Sequence, residues 1–179
     1  MGNPAKPRVA LYTFGLLRAP LGSEELREFA SMSPSVFGEA AASKGFIANA
    51  AAARPDLKGQ AGLGLDFGRW GVGVAPRFYT GSTRPRETAM IHTLSLWEDV
   101  EAARRFVYSG VHKTALQRRY DWFVKGDFPG YVLWWVAADK FPTWAEGARQ
   151  LEALADNGPA PSGFTFSRSF DDQGVARAA

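Results

Sequence analysis

Cysteine is absent from the 179 residues. That excludes disulfides, thiolate zinc sites, iron–sulfur clusters and cysteine nucleophiles. Histidine is scarce: His92 and His112 are the two present, too few for a multi-histidine zinc site. No run of 18 apolar residues occurs, so no membrane span is expected. The apolar stretch near the N-terminus is short and broken by Gly15, which does not read as a signal peptide. A cytoplasmic location is expected. Dense basic runs are missing too. The 21 Lys and Arg against 18 Asp and Glu leave a formal charge of +3, scattered in pairs such as Arg104-Arg105 and Arg118-Arg119. Nucleic acid is therefore not an expected partner. Gly62-Leu63-Gly64-Leu65 lacks dinucleotide-binding spacing and no Walker lysine follows, so nucleotide binding is not expected.

Apolar and aromatic residues are plentiful, at 46% and 13%. That load suits one folded domain over residues 1–179 with a real core, not a disordered chain. Residues 1–7 read as a loose tail. Arg8–Phe14 alternates, with Val9, Leu11 and Thr13 on one face and Ala10, Tyr12 and Phe14 on the other, which predicts a strand. Ser23 before Glu24 and Glu25 predicts a helix start, with the helix running to about Ser31. Ser33-Pro34 predicts a restart, ending at Lys44-Gly45. Gly45-Phe46-Ile47 opens a second strand, extending to about Ala52. Residues 54–86 interleave glycines with Phe67, Trp70, Phe78 and Tyr79. They are too apolar for a solvated linker and read as an ordered insertion that covers or lines something.

A third strand is predicted over Thr88–Trp97. Glu98-Asp99 then open a long helix to about Lys125, with a weak point at Ser109-Gly110. Tyr131–Ala137 is a strongly apolar strand. Thr143 with Glu146 forms a capping box for a helix that buries Trp144, Ala148, Leu151 and Ala155. Phe164-Thr165-Phe166 is a short extended piece of a C-terminal extension over 142–170. The order β-α-β-insertion-β-α-β-α is the split βαβ, ferredoxin-like pattern with an added C-terminal helix. Helices cover one face of such a sheet. Its strands are apolar on both faces, so a second subunit is the expected cover of the other face, and a homodimer is predicted.

Ser95–Phe123, then YVLWWVA, PTWAEGARQLEAL and GPAPSGFTF, resemble an uncharacterised bacterial, monooxygenase-like domain family of the dimeric α/β-barrel superfamily. The opening strand VALYTFGLLRAPL fits the same likeness. The second strand and residues 54–86 depart from the short hairpin associated with that family. Leu96-Trp97-Glu98-Asp99, Phe106, His112, Ala115 and Trp122-Phe123 are more distantly similar to the spheroidene monooxygenase family. These resemblances imply oxidative chemistry on a hydrophobic small molecule, with haem as the cofactor. Fold-level analogy transfers no substrate.

On one continuous helix, Tyr108, His112, Ala115, Arg119 and Trp122 share a face. His112 is then the candidate axial iron ligand, Ala115 leaves room for a macrocycle, and Arg119 is a partner for a propionate or a substrate carboxylate. Arg69 and Arg77 are further candidates for that pairing. His112, His92 and Arg119 are the candidate catalytic residues, the histidines as acid or base. A lone histidine on an apolar strand face, as His92 is, reads first as a hydrogen-bonded core residue, with a pocket acid, base or second ligand as the rival reading. Trp70, Phe78, Trp97, Phe106 and Trp134 are the candidate pocket walls, and are also explained as core and interface. Three functions follow: a haem-dependent monooxygenase-like enzyme, a cofactor-free enzyme on the same fold, or a non-catalytic ligand-binding dimer.

Overall fold

The computed structural model describes residues 6–57 and 60–177. Most of the expected tail therefore lies outside the described residues. Four strands pair into one antiparallel sheet: β1 (Arg8–Leu16), β2 (Phe46–Asn49), β3 (Met90–Trp97) and β4 (Tyr131–Val136), in the order β2-β3-β1-β4. β1 and β3 are the centre, with Phe14 opposite His92 and Tyr12 opposite Leu94. β2 reaches only as far as the Ser95 end of β3. It is shorter than the sequence suggested because Asn49 accepts a hydrogen bond from the Ala52 amide at 2.9 Å and turns the chain into a 3₁₀ segment over Ala50–Ala53.

The helices are α1 (Arg27–Ala42), α2 (Val100–Val107), α3 (Gly110–Gln117), α4 (Arg119–Trp122) and α5 (Trp144–Asn157). The chain is thus α+β. Two expectations are corrected here. α1 is continuous through Pro34, where an interruption was expected. Apolar neighbours hold it on both sides of the proline, with Phe29 and Met32 against Leu26 and Trp122, and Val36 and Ala40 against the sheet. The long helix after Asp99, by contrast, is three, with the first break at the expected weak point Ser109-Gly110. Gly110 lies at φ +51° and breaks the run. The Glu39 carboxylate of α1 accepts the Val111 amide at 2.9 Å, giving α3 its own N-terminal cap.

The sheet separates two cores. Val9, Leu11, Trp97 and Leu133 face α1 and α2 on one side, together with Phe106, Phe164 and Phe166. Ala10, Tyr12, Phe14, Met90, Leu94, Val132 and Trp134 face the other side. There Leu57, Phe67 and Trp70 of the insertion and Trp144, Leu151 and Leu154 of α5 cover them. Both faces are therefore covered by the chain itself. The argument for a sheet-on-sheet homodimer rested on an open face, and that face is closed. The insertion is ordered through 3₁₀ turns at Pro55–Leu57 and Gly68–Trp70 and bridges between Leu63 and Gly73 and between Asp66 and Val72. The capping box of α5 is present, with both hydrogen bonds between Thr143 and Glu146. α5 buries Leu154 where Ala155 was expected. Among the described residues, no helix is long and apolar enough to cross a membrane.

Candidate functional site

The helical face proposed around His112 does not form. The break at Gly110 turns Tyr108 away from His112, and its ring meets Phe166 at 5.7 Å. Ala115 and Trp122 belong to a separate apolar cluster with Leu17 and Leu26. Arg119 is exposed and donates to the Leu116 carbonyl at 2.8 Å. His112 is half-buried against Phe106, and its Nδ1 donates to the Val107 carbonyl at 2.9 Å. Burial lowers its pKa below the usual histidine value. That tautomer leaves Nε2 with a lone pair, as a metal-bound histidine requires. The residues meant to cradle a macrocycle nevertheless point into different clusters, so this set does not fit a haem. Arg69 lies over the Phe141 ring at 4.4 Å, and Arg77 is bound to Asp156 at 2.5 and 2.9 Å. Neither accompanies His112.

The proposed pocket walls are also divided. Trp97 and Phe106 lie on the α1–α2 side of the sheet, stacked at 5.2 Å. Trp70, Trp134 and Phe78 lie on the other side, where Phe78 stacks on Phe128 at 4.9 Å. They are core residues, not the lining of one pocket.

The second histidine has the richer setting. His92 is 5% exposed in the middle of β3. A cleft of about 180 Å³ lies beside it, at the margin of β3 beyond the reach of β2. Its walls include Phe37 of α1, Leu57, Ala61 and Phe67 of the insertion, and Trp144 of α5. The capping box starts α5 at Trp144, and the indole stacks on the imidazole with centroids 4.1 Å apart. Phe67 meets the same indole edge-on at 5.2 Å. The Trp144 N–H is buried without an acceptor, an arrangement that costs about 1–3 kcal/mol.

Hydrogen bonds fix the His92 tautomer. Nε2 is 2.8 Å from the Ala61 carbonyl, which only accepts, so Nε2 carries the proton. Nδ1 is then the acceptor, and the buried Tyr12 hydroxyl donates to it at 3.3 Å. Tyr12 and His92 are diagonal neighbours on one sheet face. Gly147 of α5 admits the Tyr12 ring, because a Cβ there would lie 2.6 Å from Tyr12 Cδ2. Burial lowers the His92 pKa to about 4, against the smaller opposing effect of the Ala61 bond. Burial also raises the Tyr12 pKa, with the Glu152 carboxylate adding to the shift. Both groups are neutral at pH 7. Arg54 at the rim is neutralised by Asp56, with bonds of 2.9 and 2.7 Å, and donates to the Asp66 carbonyl at 3.2 Å. Among the described residues no set of three potential metal ligands comes together.

Sequence reasoning had His92 but missed Tyr12, Trp144 and Ala61. The strand order of the split βαβ pattern places β1 beside β3, and alternation then puts Tyr12 on the face of His92. The signal for Tyr12 was present once the topology was accepted. Nothing in the sequence separates Trp144 from other core tryptophans.

None of the curated proteins matches the chain. Among solved structures, it is similar to the NE2512 protein of Nitrosomonas europaea, described as of unknown function. The likeness has 11% identity, covers 76% of this chain and 95% of that one, and has a TM-score of 0.44. Residues 8–179 match the family model described as Domain of unknown function (DUF3291). The match takes in every strand and helix of the fold, and the chain belongs to the DUF3291 family.

Proposed function

We propose that this chain is a small-molecule enzyme acting without a bound cofactor, with His92 at its centre. The observation that carries this reading is a neutral imidazole of fixed tautomer beside a cleft with aromatic walls. Such an imidazole is a hydrogen-bond donor, not an acid, at pH 7. It can polarise a carbonyl or stabilise an enolate without transferring its own proton first. Tyr12 holds the tautomer and is a positioning residue. The split βαβ strand order supports a ferredoxin-like sheet.

The cleft limits the substrate. A cavity of roughly 150 Å³ takes a benzene ring, and drug-sized pockets begin at about 300 Å³. The His92 cleft, at about 180 Å³, suits a compound of one ring. Ligand-observed NMR with small ring compounds tests the reading. Several are expected to bind and to quench tryptophan fluorescence, with the quenching reduced in Trp144→Phe. Absence of any binder at millimolar concentration overturns it. A hemin titration tests the haem alternative. No Soret band is expected; a sharp band that disappears in His112→Ala would replace this reading with haem chemistry at His112.

A further inference from the structure

The ring nitrogens of His92 are both occupied within the chain, and the two occupants differ in kind. Tyr12 comes from the central strand β1, is fully buried and lies against α5. Ala61 comes from the insertion, and its carbonyl forms part of the cleft wall. The peptide that carries this carbonyl joins Ala61 to Gly62, which sits at φ +67°. Glycine occupies either sign of φ without a Cβ penalty. Of the two occupants, Ala61 lines the cleft, where an entering ligand can reach it, while Tyr12 is fully buried.

From this we infer that the ligand is a neutral, single-ring compound whose carbonyl or hydroxyl oxygen replaces the Ala61 carbonyl at His92 Nε2. The inference rests on the small-molecule reading above and adds the ligand's class. The oxygen is required because displacing Ala61 without offering another acceptor leaves a buried N–H unpaired, which penalises binding. Neutrality follows from the charges along the cleft. Arg54 is the one charged side chain among the described residues that line it, and Asp56 neutralises it. A carboxylate entering the cleft loses its hydration and meets no net positive charge. A single flat ring suits a cleft of about 180 Å³ with Phe37, Phe67 and Trp144 in its walls.

Acetophenone, ethylbenzene and benzoate form a decisive set, being similar in size but differing in oxygen and charge. Calorimetry with the wild-type chain is expected to give acetophenone a Kd about tenfold below the other two, the worth of one hydrogen bond. In nitrogen-edited NMR, acetophenone alone should move the His92 Nε2 proton resonance. His92→Phe should erase the advantage of acetophenone; the wild-type spectra decide the matter if that variant does not fold. Equal binding of ethylbenzene overturns the exchange of acceptors. Tighter binding of benzoate overturns neutrality and leaves the site standing. No binding by all three, with the His92 resonance unmoved, overturns the ligand class and the small-molecule reading together.

Discussion

Burial keeps His92 neutral in the fold, while the unfolded chain titrates it near 6.5. Tyr12, bonded to its ring, and Arg54, in the same cleft, are the titratable groups of the site, and neither is an anion that would favour the imidazolium. Below pH 6.5 the unfolded state takes up a proton that the folded state refuses until about pH 4. This contribution to stability is complete above pH 6.5 and is lost as pH falls towards 4. Its size is on the order of 3 kcal/mol. His112 acts with the same sign, since burial lowers its pKa too. Urea unfolding of wild type and His92→Gln at several pH values between 4 and 8 checks this. The variant is expected to be less stable at pH 8 and to lose less on acidification. Equal slopes would mean that His92 is solvated in the fold. At this scale the sequence was legible by half: the two histidines stood out, but helical spacing favoured His112. Ser109-Gly110 was legible as a weak point, but the constellation assumed an unbroken helix, and the positive φ at Gly110 dissolves it.

Helix α5 carries Trp144 onto His92, so what stabilises the helix also shapes the cleft. Removing its cap with Thr143→Ala is expected to cost about 1 kcal/mol in denaturant unfolding, and to weaken any ligand that stacks on Trp144. Gly147 gives a less intuitive expectation. On helix propensity alone, Gly→Ala in a helix interior gains about 1 kcal/mol. Here the new methyl group meets the Tyr12 ring at under van der Waals distance, and overpacking of this kind costs about 1–3 kcal/mol. Gly147→Ala is therefore expected to destabilise the chain, and a raised midpoint of thermal unfolding would contradict the close approach. Strands and the α5 capping box were readable because alternation and capping are local. The continuity of α1 through Pro34 was not, because it is held by Phe29, Met32, Val36 and Ala40 against distant parts of the chain. Gly147 was silent for the same reason: its use lies in a ring from another element.

For the molecule as a whole, the largest departure from expectation is the second face of the sheet. Two-sided apolar strands implied a cover, and the sequence offered two sources for one: another subunit or residues 54–86. Those residues lack periodicity, so their role could be read only as covering or lining something. Leu57, Phe67 and Trp70 now lie on that face with α5. Light scattering is expected to give the mass of one chain, 19.5 kDa. A mass of two would require pairing through a surface other than the sheet faces.

The tethered cover has a consequence for how the chain responds to dilution. Where two subunits close each other's sheets, folding and association share one equilibrium, and each is lost as concentration falls. Here the segment that closes the sheet is joined to it through Asn49 and Ala89, so docking is a first-order event whose partner is always present. The unfolding midpoint should then stay constant from nanomolar to millimolar protein, and each copy carries an intact cleft however few its neighbours.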